Sequence, residues 1–126
     1  MISHITFVVK DLEQSAWFWR TIFGAEEVYA SSAVKYFLVN DLWVALNLGE
    51  PHARRNYNHI AFQIKETEMD EYLSRINKVG AEIKPGRPRK ANEGASIYFY
   101  DFDNNLFELH TGILTERLEK LSKERD

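Results

Sequence analysis

The stretch His4-Ile5-Thr6-Phe7-Val8-Val9-Lys10 returns, 55 positions on, as His59-Ile60-Ala61-Phe62-Gln63-Ile64-Lys65. A histidine heads each copy, and the residues behind it alternate with the period of a half-buried strand. Glycine punctuation repeats as well: Gly24-Ala25-Glu26 follows the first copy and Gly80-Ala81-Glu82 the second. Near-constant spacing of this kind marks a duplicated supersecondary unit. The chain is therefore expected to build two like modules, each with a histidine at the head of its first strand.

The 126 residues suffice for one domain with a genuine core and are too few for two. Residues 2–9 read as a strand. Asp11 with Gln14 resembles a capping box, and Leu12, Ala16, Trp19 and Ile22-Phe23 then share one helical face up to Gly24. Strands are expected near 26–29, 35–39 and 42–48, with Asn40-Asp41 as a tight hairpin turn. The polar segment 50–56 is the expected linker. The second module opens with a strand at 57–64, followed by a helix capped by Thr67 and Asp70, with a stripe of Met69, Leu73, Ile76 and Val79. Strands at 81–84, 95–101 and 105–111 complete it, and the long loop between 85 and 94 reads as functional. The fold class is α+β: module 1 about 1–50, module 2 about 56–112, each β-α-β-β-β, and a helical tail over 113–126.

Strand alternation tests the idea that both histidines serve one metal ion. Tyr57 and His59 share a face opposite Ile60, Phe62 and Ile64. In the last strand Leu106, Glu108 and His110 share a face opposite Phe107 and Leu109. A carboxylate inside so apolar a strand is costly unless it is paired or ligates a cation. His4, His59 and Glu108 thus form a two-histidine, one-carboxylate set with open positions, suited to Mn²⁺, Fe²⁺ or Zn²⁺. A lone strand-head histidine is ordinarily a surface residue; the duplication is what favours the ligand reading. His52, in the linker, is expected to be solvated, and His110 to support the site or the structure. Asp101-Phe102-Asp103-Asn104-Asn105 superficially resembles a calcium loop, but Leu106 and Gly112 stand where that loop needs glycine and glutamate.

Composition narrows the partners. Net charge is −3 and no basic stripe stands out, which argues against nucleic acid. No apolar run approaches the roughly 20 residues that cross a bilayer, and Met1-Ile2-Ser3-His4 opens no secretory signal. Cysteine is absent, in keeping with a reducing cytoplasm, so a sulfur nucleophile would have to come from a co-substrate. The eight Phe, six Tyr and three Trp suit a packed, cup-like interior.

The paired His-Ile strands and the late Glu108 resemble the vicinal oxygen chelate superfamily, in which two such modules form a cupped mixed sheet. More narrowly, Tyr57-Asn58-His59-Ile60-Ala61-Phe62, Ser96-Ile97-Tyr98-Phe99, Phe107-Glu108-Leu109-His110-Thr111-Gly112 and Arg117-Leu118 resemble the fosfomycin-resistance enzymes over nearly the whole chain. The resemblance implies His4, His59 and Glu108 as ligands of Mn²⁺ or a similar divalent ion. It implies Tyr36, Trp43, Tyr57, Arg87, Tyr98 and Arg117 as substrate-binding residues and Thr6 as a catalytic hydroxyl near the epoxide oxygen. It further implies a K⁺ site at the Gly94–Ser96 loop, as in some members. Such enzymes are homodimers whose modules exchange, each site drawing its first histidine from one subunit and the other two ligands from its partner.

Three branches of these enzymes open the same epoxide, with glutathione, with bacillithiol or a related thiol, or with water. Lys84-Pro85-Gly86-Arg87-Pro88-Arg89 and Tyr100-Asp101-Phe102-Asp103-Asn104 look most like the hydrating branch. That branch carries a glutamate base just before the strand at Tyr36, and Ala30-Ser31-Ser32-Ala33-Val34-Lys35 holds no carboxylate. Water without its base would react slower by roughly 10² or more, whereas a thiol ionises readily. The bacillithiol branch usually has cysteine where this chain has Thr6. The expected chemistry is thiol addition, with hydration as the alternative. Other classes are a drug-sequestering protein, which would not need the metal ligands, and an extradiol dioxygenase, which would use the same triad. A glyoxalase-type isomerase would need an acid within Trp43–Leu48, which has none.

Overall fold

A computed structural model describes residues 1–85 and 94–125. Strand β1 (His4–Val9) leads into helix α1 (Leu12–Phe23), then β2 (Glu26–Ala30), β3 (Val34–Val39) and β4 (Leu42–Leu48). The second module repeats the series: β5 (His59–Gln63), α2 (Met69–Lys78), β6 (Ile83–Lys84), β7 (Ser96–Tyr100) and β8 (Leu106–His110), followed by helix α3 (Leu114–Arg125). Strand order is β1-β4-β3-β2 in the first sheet and β5-β8-β7-β6 in the second, so the duplication read from the histidines is a duplication of topology. In both, the first strand pairs in parallel with the last, which places each strand-head histidine beside the closing strand.

Local chemistry explains the boundaries. The Asp11 carboxylate accepts the Gln14 N–H at 3.0 Å and starts α1. Gly24, at φ +62°, ends it by donating to the Arg20 carbonyl. The second helix departs from expectation. The chain enters it through a 3₁₀ turn over Glu66–Glu68, and the Glu68 carboxylate, rather than Thr67, accepts the Lys65 N–H at 2.8 Å. Thr67 lies inside that turn, so no helix N-terminus stands ahead of it to cap. Strand β5 begins at His59 rather than 57 because the Asn56 side chain accepts the Asn58 N–H at 2.8 Å and turns the chain there. Strand β6 is two residues long because the Ala81 N–H is spent on the Ile76 carbonyl in closing α2.

The modules share one core, built on the helix-facing sides of both sheets. Phe18, Trp19 and Ile22 of α1 are buried against Phe37, Val44 and Leu46 of the first sheet and Phe99, Phe107 and Leu109 of the second. Trp19 meets Phe107 edge-on at 5.4 Å, and Phe7 meets it at 5.6 Å. Burying side chains of this size contributes about 1.5–3 kcal/mol each, so α1 binds both sheets together. The opposite faces carry Thr6, Asn47, Ser96, Glu108 and His110, while Lys35 lies on the core side of β3. Among the described residues, no helix is long and apolar enough to cross a membrane.

Candidate active site

On the outer face of the second sheet, Glu108 of β8 lies in register with Ala61 of β5 and Tyr98 of β7. Glu108 is 8% exposed. Its Oε1 stands 3.0 Å from His59 Nε2. The other ring nitrogen of His59, Nδ1, is 2.8 Å from the Tyr57 carbonyl, which can only accept, so Nδ1 carries the hydrogen. In the neutral ring, Nε2 then presents a lone pair to a carboxylate. Two acceptors so close need a cation between them, either a proton or a metal ion. An imidazole nitrogen and a carboxylate oxygen, the imidazole oriented by a backbone carbonyl, are the donor set of a divalent metal site.

Hydroxyl groups line the same face. The Ser96 hydroxyl lies 2.6 Å from Glu108 Oε2. Tyr57 O–H donates to the Tyr98 oxygen at 3.4 Å. Burial pushes the Tyr98 phenol up, reinforced by the Tyr57 hydrogen bond and the Glu108 charge, so it stays protonated and able to donate. Lys84 of β6 reaches over the Tyr57 ring with its ammonium 5.0 Å from the centroid. The wall therefore combines an electron-pair donor set with proton donors and a cation, as a small oxyanion requires.

The first sheet carries the other half of the expected set. His4 stacks on Trp43 at 4.1 Å, its register partner, and Tyr36 meets Trp43 edge-on at 5.2 Å. Thr6 lies two residues past His4 on the same face, exposed. Trp43 Nε1 is buried and has no hydrogen-bond partner among the described residues. A buried indole N–H left unmet costs about 1–3 kcal/mol.

The structure thus assembles two half-sites and leaves them apart. His59 and Glu108 meet; His4 is on the other sheet. Among the described residues, no three His, Cys, Asp or Glu side chains converge as a metal site would need. Arg117 lies on the first turn of α3, exposed, and Arg87 falls outside the described residues.

Comparison with known proteins follows the same lines. Residues 1–109 match the model of the glyoxalase/bleomycin resistance protein/dioxygenase superfamily. The chain is 52% identical over 126 residues to the fosfomycin resistance protein FosX of Listeria monocytogenes, covering 94% of this chain and 95% of that one. It belongs to the fosfomycin-resistance family of that superfamily. The metallothiol transferase FosB of Shouchella clausii is 39% identical over 127 residues, covering 97% of this chain and 87% of its own length. A crystal structure of a variant of the Listeria FosX, complexed with Mn(II) and 1S,2S-dihydroxypropylphosphonic acid, superposes with a TM-score of 0.90 at 52% identity, covering 96% of this chain and 97% of that one.

Sequence reasoning missed several contacts that complete this fosfomycin-resistance fold. His52 is exposed, as expected, but partnered: its Nε2 is 3.0 Å from Asn105 Oδ1, and its carbonyl accepts from the Asn104 side chain, so the linker is pinned to the β7–β8 turn. Arg55 is held there too, over the Tyr100 ring at 3.8 Å and paired with Glu82 at 2.8 Å. The acids of that turn are taken up by hydrogen bonds, Asp101 within the turn and Asp103 across to the first module. Asp101 accepts from the Asp103 and Asn105 backbones, and Asp103 from the Lys10 backbone and the Ser15 hydroxyl. Ser96 was legible: counting by two along β7 from Tyr98 puts it on the Glu108 face.

Proposed function

We propose that this chain is a divalent-metal-dependent enzyme that inactivates fosfomycin by opening its epoxide ring. The observation that carries the reading is the His59–Glu108 pair at 3.0 Å, with the imidazole tautomer set by the Tyr57 carbonyl. His4, His59 and Glu108 would hold the ion, with Mn²⁺ indicated by the FosX complex. When bound, the cation supplies Lewis-acid stabilisation of the alkoxide that develops as the epoxide C–O bond breaks. Tyr57, Tyr98, Arg87 and Arg117 bind the phosphonate; guanidinium forks and phenol donors match its charged oxygens. Tyr36 and Trp43 close the cup over the substrate, with the unmet Trp43 N–H as a further donor. Thr6 donates to the epoxide oxygen. The Gly94–Ser96 loop is the place for K⁺.

The half-sites are completed by a second copy. Exchange of modules in a homodimer would set the His4–Trp43 face of one subunit against the His59–Glu108 face of its partner, and the failure of His4 to converge with His59 and Glu108 among the described residues supports this. The expected nucleophile is a low-molecular-weight thiol of the glutathione or bacillithiol type. The β2–β3 connection is a tight turn in which the Ser31 hydroxyl accepts the Ala33 and Val34 N–H groups, and it holds no carboxylate to deprotonate water. Water is the second reading, favoured by the higher identity to FosX than to FosB and by the diol in the FosX structure, which is the product of adding water to the epoxide. A cytoplasmic location suits the thiol reading, since thiols are kept reduced there.

The test incubates the Mn²⁺-loaded protein with fosfomycin, first alone and then with glutathione or bacillithiol, and identifies products by NMR and mass spectrometry. An adduct carrying the thiol is expected. A diol formed without thiol establishes hydration instead. No product under any of these conditions refutes both, and retention of intact drug would then point to sequestration.

A further inference from the structure

His110 stands two residues beyond Glu108 on the same face of β8, and the mechanism above gives it nothing to do. Its Nδ1 lies 2.7 Å from Ser96 Oγ, which in turn lies 2.6 Å from Glu108 Oε2; the direct His110–Glu108 separation is longer, 3.3 Å. The ring occupies a seat cut for it. A Cβ on Gly112 would stand 2.7 Å from His110 Nε2, and one on Gly94 would stand 3.3 Å from His110 Cε1. Any side chain at Gly112 would displace the imidazole.

Donor and acceptor rules orient this chain of contacts. An ionised carboxylate only accepts, so at 2.6 Å the Ser96 hydroxyl must donate to Glu108 Oε2. The Ser96 oxygen is then free to accept, and His110 must supply the hydrogen from Nδ1. A serine hydroxyl alone rotates freely, and His110 removes that freedom. The relay runs His110 Nδ1–H to Ser96 O–H to Glu108, each bond polarising the next.

We propose that Ser96 and His110 are a positioning pair that locks the Glu108 carboxylate, engaging Oε2 so that Oε1 faces His59 Nε2 and the metal. The inference rests on Glu108 being a metal ligand, and it adds why that carboxylate holds one orientation. Hydrogen-bond partners of metal ligands set ligand direction, and losing one typically weakens metal binding by 10–100-fold.

The experiment titrates Mn²⁺ into the metal-free protein and reads free Mn²⁺ by its electron paramagnetic resonance signal. Wild type, Ser96→Ala, His110→Leu, His110→Asn and Glu108→Gln are compared. Ser96→Ala and His110→Leu are expected to bind roughly 10–100-fold more weakly than wild type. His110→Asn, whose carboxamide N–H replaces Nδ1–H, is expected to recover most of the loss. Glu108→Gln sets the floor. Ser96→Ala removes one oxygen atom, so it keeps the test open should His110→Leu fail to fold. Wild-type affinity in Ser96→Ala overturns the inference and leaves the metal reading standing. His110→Asn as weak as His110→Leu shows that the ring only fills space, and overturns the role of His110. A wild-type protein that binds no Mn²⁺ overturns the metal reading and this inference with it.

Discussion

The two modules share strand order and register yet carry different side chains at matched positions. Thr6 pairs with Ala45 in the first sheet, where Ala61 pairs with Glu108 in the second, so an alanine stands where the carboxylate would be. Asn47 takes the place of His110, Val34 that of Ser96, and Trp43 that of Leu106. On these outer faces the strand-head histidine and the tyrosine pair Tyr36 and Tyr98 are held in common. The first module accordingly presents an aromatic face with one imidazole. The second is a charged half-site whose carboxylate is buried, hydrogen-bonded and aimed. Duplication preserves the scaffold because the core side of each sheet must still pack on the helices. The outer face carries no such constraint and is free to diverge.

Breaking one half in each of two chains gives the largest effect. His4→Asn and Glu108→Gln should each lose roughly 10²–10⁴-fold in fosfomycin turnover as homodimers, the several kcal/mol that a lost metal contributes. Mixed dimers should regain substantial activity if modules are exchanged, because one of the two sites then receives His4 from one chain and His59 with Glu108 from the other. Failure of co-expressed, co-purified mixtures to regain any turnover would place all three ligands within a single chain.

The hairpin turns that end the modules differ more than their sequences suggest. Asp41, in the β3–β4 turn, is exposed. Asp103, in the β7–β8 turn, is 1% exposed and reaches into the other module, accepting the Lys10 N–H at 3.1 Å and the Ser15 hydroxyl at 3.4 Å and facing the Lys10 ammonium at 3.5 Å. Asp103→Ala should cost about 2–4 kcal/mol, from lost charged hydrogen bonds and stranded donors. Asp41→Ala should stay within about 0.5 kcal/mol of wild type. Urea unfolding measures both, and equal costs would mean that the turn does not clasp the modules together.

The smallest effect lies in the core. Lys35 and Ile97 occupy matched positions, 7% and 8% exposed, opposite Leu46 and Leu109. The Lys35 ammonium lies 2.9 Å from Glu27 and 3.3 Å from Glu13. The Glu27 hydrogen bond raises its pKa against the opposing effect of burial. A raised lysine pKa adds stability that is fully present below the ordinary lysine range and lost as pH rises through the folded value. Lys35→Ile should therefore unfold within about 1 kcal/mol of wild type at neutral pH. The variant should gain relative to wild type as pH climbs past about 10.4. Parallel thermal scans that keep a constant offset would show that the ion pairs contribute nothing.

Much of this architecture was legible in the residues. Alternation located the strands, Gly24 and Gly80 ended the helices, and counting by two put Glu108 and His59 on outer faces. Thr67 is no cap because the chain enters the second helix through a 3₁₀ turn that contains Thr67 itself, which local composition does not signal. The linker's contacts were not legible because its partners, Asn104, Asn105 and Glu82, are distant in sequence. No local pattern signals a contact made across a whole module.

Sequence alone determined the duplicated unit, the two histidines that head it and the carboxylate in its last strand, because periodicity and turn chemistry act over a few neighbouring residues. Tertiary structure decided which of those groups meet. It joined His59 to Glu108, ran a hydrogen-bond relay from His110 through Ser96, and kept His4 on a separate sheet beside an unmet Trp43 N–H. Such outcomes depend on strand register and on which module packs against which, and those are settled by the shared core around α1.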